Sequence, residues 1–243
     1  CVVELERKLS VAKRLGRLPK VIIPVHYAGQ PCEMAVIHAL SKEYGFRIIE
    51  DASHAIGASY KGSRVGSCQH SDITVFSFHP VKIVTSGEGG MATTCSKVLN
   101  DSMLRLRSHG ITTDPKLMRE SPSSEIWNYQ QIELGYNYRL SDIHAALGLS
   151  QLRKVEEFIG RRAEIAQRYD EELLGLPYVL PYFCPESVSS YHLYPIRVKA
   201  QDSKFNQKVA YKGLVAAGIA ANLHYIPVHR HPFYERLGFT EGS

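Results

Sequence analysis

The sequence predicts an α/β fold: a large domain over residues 1–160 built on a mainly parallel sheet covered by helices, then a small α+β unit over 161–243. Two observations carry this reading. Through the first two-thirds of the chain, short apolar runs alternate with segments whose apolar residues recur at helical spacing. The runs are apolar along their whole length, which predicts strands buried on both faces.

Taken in order, Val21-Ile22-Ile23-Pro24-Val25 is the first strand and Tyr27-Ala28-Gly29-Gln30 a turn. Residues 31–44 place Met34, Ile37, His38, Leu40 and Tyr44 on one helical stripe, opened by Pro31, which suits a first helical turn, and ended by Gly45. Phe46-Arg47-Ile48-Ile49 is the next strand, closing on Glu50 and Asp51, and 73–78 is a third. Met91-Ala92-Thr93-Thr94 reads as a strand and 97–107 as a helix. A helix of about 30 residues is expected from Ser141, with Ser141 or Asp142 as its N-cap, ended by Gly175-Leu176-Pro177. Beyond a linker with Pro181, Pro185 and the Ser-rich 187–190, the pattern predicts a strand at 192–198, a helix near 204–217 and a strand at 219–226. Pro195 demotes the first of these towards an edge or a bulge.

The 243 residues are 44% hydrophobic and 22% charged, ordinary globular usage that excludes wholesale disorder. No apolar run approaches the roughly 20 residues of a bilayer-spanning helix, and no secretory leader opens the chain. The first residue is Cys1 rather than a methionine, so the natural N-terminus is expected upstream. The five cysteines, Cys1, Cys32, Cys68, Cys95 and Cys184, are widely spaced without the close pairs of a zinc site, which predicts a reducing, cytoplasmic setting. The formal charge of +5 is dispersed, with no basic block interleaved with aromatics, so neither nucleic acid nor membrane is an expected partner. An acidic small molecule, such as a phosphorylated one, suits this balance.

In parallel sheets, ligand groups gather just past the carboxyl ends of the strands. Asp51-Ala52-Ser53-His54 stands at one such end and Ser77-Phe78-His79-Pro80-Val81-Lys82 at another, followed by Thr85-Ser86-Gly87-Glu88-Gly89-Gly90. A lysine in a partly apolar crevice has a depressed pKa and becomes an amine nucleophile towards an aldehyde. A nearby aspartate can keep a pyridine nitrogen protonated, as an electron sink requires. Ser77 can donate to a phosphate. Together these outline a pyridoxal-phosphate site. Each feature also has a plainer reading: Asp51 as a turn cap, Lys82 as a solvated surface group, and the glycines as a tight turn that matches neither a Walker loop nor a dinucleotide fingerprint.

The stretches EDASHAIGASY, DITVFSFHPVKIVTSGEGG, LGYNYRLSDIHAALGLSQL and HYIPVH, in this order, resemble the DegT/DnrJ/EryC1/StrS family of sugar aminotransferases. These are fold-type-I pyridoxal-phosphate enzymes with the aspartate aminotransferase-like fold. The combination PVHYAGQ, FSFHPVK, RLRSHGIT and HYIPVH is similar to the pseudaminic-acid branch, which aminates C4 of a UDP-linked 4-keto-6-deoxy-hexose in surface-glycan synthesis.

The resemblance implies roles residue by residue. Lys82 would bond to the cofactor aldehyde and then carry the proton of the 1,3-shift. Asp51 would pair with the pyridinium nitrogen, Ser53 would lie under the ring, and His54 takes the family's Gln/His position beside the ring hydroxyl. Ser77 would contact the cofactor phosphate, and Asn137 would reach the phosphate of a neighbouring subunit, which implies a homodimer with shared active sites. Arg139 and His224 are candidates for the substrate side. The donor would be an amino acid, L-glutamate in the leading reading. No metal is assigned, since His26, His38, His144, His192, His229 and His231 show no metal spacing. The aromatics Tyr27, Tyr129, Tyr136 and Tyr138 can face sugar or uracil, although packing is the commoner use of a tyrosine.

Against the family, the chain begins part-way through the large domain, without the Gly-Ser/Thr-type loop that cradles the cofactor phosphate, and stops before the closing helix. The expectation is an active parent enzyme and a piece that binds cofactor poorly. Three alternatives stand beside it: a transaminase for another keto sugar, a non-catalytic dimerising remnant, and the family's dehydratases. The last carry histidine at the lysine position, which Lys82 argues against.

Overall fold

A computed structural model describes residues 1–119, 127–199 and 206–239. The chain opens with helix α1 (Val2–Arg14), strand β1 (Val21–Ile22), helix α2 (Met34–Tyr44) and strand β2 (Arg47–Asp51). A short hairpin, β3 (Ser59–Tyr60) and β4 (Ser63–Arg64), precedes β5 (Ile73–Ser77), β6 (Gly90–Thr93) and α3 (Lys97–Arg107). Next come β7 (Ile111–Thr112), β8 (Gln130–Gln131), α4 (Asp142–Leu152) and α5 (Val155–Glu172). The remainder holds β9 (Tyr178–Val179), β10 (Ser187–Val188), β11 (Arg197–Val198), α6 (Gln207–Ala216) and α7 (Pro232–Glu235).

The main sheet has the order β1-β2-β5-β6. β1 and β2 pair in parallel, as do β2 and β5, while β6 returns antiparallel to β5 with Ser77 opposite Gly90. The expected mainly parallel α/β sheet is therefore present. β10 joins the β3–β4 hairpin in a separate three-stranded antiparallel sheet.

Apolar side chains on alternate residues put the core on one side of the main sheet. Leu9 of α1 and Met34, Ile37 and Leu40 of α2 pack with Phe46 and Ile48. Phe76 and Phe78 pack with Ala52, Ala55, Ile83 and Val84, and Val155 and Phe158 of α5 close over them. The opposite face carries Ile49, Asp51, Ile73, Val75 and Ser77, none of them buried, and Val75 is 38% exposed. The strands are thus buried on one face rather than on both, because the buried clusters gathered by α1, α2 and α5 all form on the Ile48–Phe76 side.

Several elements depart from expectation. α2 starts at Met34, with Glu33 as its N-cap, and Pro31 lies outside it. The long helix from Ser141 is two helices: Ser141 caps α4 by accepting from the His144 amide, and the chain breaks at Arg153-Lys154 before α5. The strand expected over 192–198 shrinks to Arg197–Val198, and 219–226 forms no strand. Of the helix expected near 204–217, residues 204–205 lie outside the described residues and the rest is α6. α1 and the β3–β4 hairpin are additional to the elements read from the sequence.

The chain divides into two compact units, residues 1–174 with 181–195, and 175–180 with 196–243. Residue 160, the expected end of the large domain, lies inside α5. In the first unit, α5 is tied to the 191–192 segment by Arg162, whose Nη1 donates to the carbonyls of Tyr191 at 3.1 Å and His192 at 3.2 Å. The second unit pairs β9 with β11 antiparallel, next to α6, in the α+β manner.

Candidate active site

Asp51 ends β2 and is pinned by backbone on both sides. Its amide donates to Pro24 O at 2.9 Å, its carbonyl accepts from the His26 amide at 3.0 Å, and the next amide, of Ala52, donates to Val75 O at 2.8 Å. Its Oδ1 accepts the Ser53 amide at 3.0 Å, an Asx turn that fixes the carboxylate on the strand end. Among the described residues no group donates to Oδ2. Asp51 is paired with Val75 in the sheet, so Asp51, Val75 and Ser77 share one face. Ser77 lies two residues further along it, roughly 6.6 Å.

Lys82 stands on the turn after β5. Phe78 and the following loop fold this turn tightly: Ser86 N and Thr85 Oγ1 each donate to Phe78 O at 3.0 Å, and Phe78 N donates to Gly89 O at 2.8 Å. Ile83 and Val84, at 6% and 1% exposure, anchor the turn in the core and leave Lys82 at its rim. Burial holds the Lys82 ammonium below its ordinary pKa of 10.5, and the Asp51 carboxylate lies near enough to pull it partly back. This electrostatic coupling joins the two sequence motifs in space. Ser53 and Ser77 are half-buried beside them, with hydroxyls that bond to no side chain or backbone group among the described residues.

His54 follows on the same turn. Its Nδ1 accepts the Ala28 amide at 3.3 Å, and the His192 ring lies 4.4 Å away, centroid to centroid. The structure thus brings together Asp51, Ser53, His54, Ser77 and Lys82. Asn137 and Arg139 lie elsewhere in the first unit, both exposed. Asn137 sits in a ladder in which Tyr136 N donates to Leu106 O at 2.7 Å and Tyr138 N to Arg107 O at 2.9 Å. No hydrogen bond or ion pair links Asn137 or Arg139 to the Lys82 cluster among the described residues. His224 belongs to the second unit, its ring 4.0 Å from that of Tyr225. His192 and Arg162 are site neighbours that sequence spacing does not mark, since only the tertiary fold carries them to His54. Among the described residues no group of three or more His, Cys, Asp or Glu could hold a metal. No helix among them is long and apolar enough to cross a membrane.

An amine of reduced basicity facing a carboxylate across the lip of an α/β sheet, with serine hydroxyls beside both, is the apparatus of a pyridoxal-phosphate-dependent fold. The chain belongs to the DegT/DnrJ/EryC1/StrS aminotransferase family, whose model matches residues 3–242. Aminotransferases of this family depend on pyridoxal 5'-phosphate.

Over 226 residues the chain is 41% identical to a Methanocaldococcus jannaschii protein, MJ1066, covering 92% of this chain and 58% of that one. Over 232 residues it is 39% identical to a Campylobacter jejuni protein named UDP-4-amino-4,6-dideoxy-N-acetyl-beta-L-altrosamine transaminase, covering 95% of this chain and 57% of that one. The structure of Helicobacter pylori PseC, an aminotransferase of pseudoaminic acid biosynthesis, superposes with a TM-score of 0.81 at 32% identity, over 93% of this chain and 57% of PseC. The chain therefore spans somewhat more than half the length of the relatives it matches.

The donor set fits the ring and aldehyde ends of the cofactor: among the described residues, a carboxylate with Oδ2 uncommitted, an amine, two unengaged hydroxyls and a histidine fixed beside them.

Proposed function

We propose that this chain carries the lysine-bearing half of a sugar-nucleotide aminotransferase that moves an amino group from L-glutamate to C4 of a UDP-linked 4-keto-6-deoxy-hexose, in pseudaminic acid or a related surface glycan. The observation that carries the reading is the coupling of Lys82 to Asp51 across the sheet lip. The similarity to the Campylobacter transaminase supports the substrate class.

The bound cofactor would supply an aldehyde and an electron-withdrawing ring that stabilises charge on a deprotonated carbon. The protein's part is then placement and proton transfer. Asp51 Oδ2 would hold the ring nitrogen protonated, with Oδ1 already committed to Ser53 N. Lys82 Nζ, of lowered basicity, would hold the aldehyde end of the cofactor and would be the group that accepts and returns a proton there. Ser77 would meet the phosphate and Ser53 the ring face. Arg139 and His224 would face the sugar nucleotide, and Asn137 would act across a homodimer interface.

The dimer reading draws support from α4, whose sequence DIHAALGLSQL is largely apolar yet has no buried residue. A cytoplasmic setting draws support from all five cysteines being free thiols.

The test is to add pyridoxal phosphate to the 243-residue chain, reduce with borohydride and map the adduct by mass spectrometry. Modification at Lys82, lost in Lys82→Ala, supports the reading. Covalent uptake that persists at the same site in Lys82→Ala sinks the assignment of Lys82, whereas weak uptake is the outcome expected of a piece that spans 57% of its relatives. Amino transfer from glutamate to a panel of UDP- and dTDP-linked keto sugars then decides the substrate.

A further inference from the structure

Two segments far apart in sequence meet at His54. From 26–30, the Ala28 amide donates to His54 Nδ1 at 3.3 Å. From 189–193, the Ser190 hydroxyl donates to the His54 carbonyl at 2.8 Å, and the His192 ring packs on the His54 ring at 4.4 Å with a tilt of 39°. Ala28 itself is left-handed, at φ 61° and ψ 3°, a conformation that costs a non-glycine residue about 1–2 kcal/mol. Backbone bonds hold it there: Ser190 N donates to Gly29 O at 3.1 Å and Leu193 N to Ala28 O at 3.2 Å. The approach demands a glycine at position 29, where φ is 98° and a Cβ would lie 2.5 Å from Ser190 Oγ and 2.9 Å from Tyr191 N.

Arg162 reaches the far side of the same segment from α5, donating Nη1 to the carbonyls of Tyr191 and His192. Among the described residues it has no carboxylate partner, so its hydrogen bonds fix backbone rather than neutralise a charge. This clamp has a chemical consequence. A ring nitrogen that accepts an amide hydrogen must present its lone pair, so the His54 ring carries its proton on Nε2. A doubly protonated ring would set two donors against each other.

We propose that His192, on a segment anchored by Arg162, is a positioning residue that works with the Ala28 amide to hold His54 as a neutral Nε2–H donor for the oxygen on the cofactor ring. The inference rests on the pyridoxal-phosphate reading of the site. Without the ring packing and the anchor, the 189–193 segment loosens from Ala28 and Gly29. His54 then loses the amide that selects its tautomer.

Long-range proton–nitrogen-15 correlation on the cofactor-free 243-residue chain reads the tautomer of His54 directly, assigned by its disappearance in His54→Gln. The expected result is one Nε2–H species in the unmodified chain. Arg162→Met and His192→Leu should lose that single-species signal, and Arg162→Lys should restore it in part. With cofactor added, the absorbance maximum of the lysine adduct should shift in both disrupted variants. Near-UV circular dichroism checks that each variant is folded. If Arg162→Met unfolds, His192→Leu decides. An Nδ1–H or doubly protonated His54 in the unmodified chain, or an unchanged signal in folded variants, overturns the inference. A chain that shows the Nε2–H species but whose borohydride-trapped adduct persists at the same site in Lys82→Ala overturns the cofactor reading instead. The two failures are distinguishable, because the tautomer is read without cofactor.

Discussion

His26 Nε2 and Glu50 Oε2 lie 2.7 Å apart with both side chains buried, on the residues flanking the two strand ends that hold Asp51. Glu50 also accepts from the hydroxyls of Thr74, at 2.9 Å, and Ser71. Burial opposes a charge on the imidazole, while the Cys32 thiol and the Glu50 carboxylate favour one. The Cys32 backbone amide works the other way, because it donates to Nδ1 at 3.1 Å and needs that nitrogen unprotonated. The amide is fixed by the chain, so we assign His26 the neutral Nε2–H form, donating to an ionised Glu50. Burial pushes the Glu50 carboxyl up, but three donors from His26, Ser71 and Thr74 more than offset it and leave its pKa below the ordinary 4.5.

Glu50→Ala should therefore cost on the order of 3 kcal/mol, since it strands two buried donors, His26 and Thr74, and the half-buried Ser71. Urea denaturation at neutral pH measures this. A group whose folded-state pKa is depressed contributes stability that is complete above its unfolded value and is lost as pH falls through the folded one. The unmodified chain should lose stability on acidification below about 4.5, and Glu50→Gln should flatten that limb. An unchanged acid limb in Glu50→Gln would rule this group out.

Asp51→Asn should lower the pKa of Lys82 further, because the Asp51 charge raises it against the opposing effect of burial. The pH profile of Lys82 labelling by an amine-reactive reagent, followed by peptide mass spectrometry, should move to lower pH in the variant. A shift to higher pH would contradict the electrostatic link between the two motifs.

Gly110→Ala should loosen the ladder that carries Asn137. Gly110 has φ 70°, and a Cβ there would run into the Glu133 carbonyl. Left-handed strain and the forced backbone shift together should cost about 2–3 kcal/mol. The expected readout is a lower thermal midpoint, with faster hydrogen exchange at the amides of Tyr136 and Tyr138.

Ile143→Asp on α4, at a side chain 83% exposed, should leave the unfolding free energy within about 0.5 kcal/mol of the parent. On the proposed homodimer reading, it should nevertheless shift self-association towards monomer in sedimentation equilibrium. A dimer of unchanged strength would place the interface elsewhere.

Much of this was legible in the sequence because it is local. α3 occupies the expected 97–107, Ser141 caps a helix as expected, and β2 and β5 end at Asp51 and next to the expected Phe78. The strand-end positions of Asp51 and Ser77, and Lys82 on the following turn, come from the same local pattern. The break at Arg153-Lys154 was hidden because nothing there disrupts helical periodicity. The 219–226 run carries strand-like residues, yet among the described residues no partner strand pairs with it.

The sequence by itself determined which chemical groups stand at which strand ends, since apolar runs and turn residues set where each strand stops and which side chains sit on the next turn. Only the tertiary structure decided that the sheet buries one face, that Lys82 and Asp51 feel each other's charge, and that His54 has its proton placed by Ala28, with His192 and Arg162 behind it. Those contacts join residues far apart along the chain, where no spacing rule operates. They are fixed by the packing of the 189–193 segment against the 26–30 loop, which closes only once the whole unit has folded.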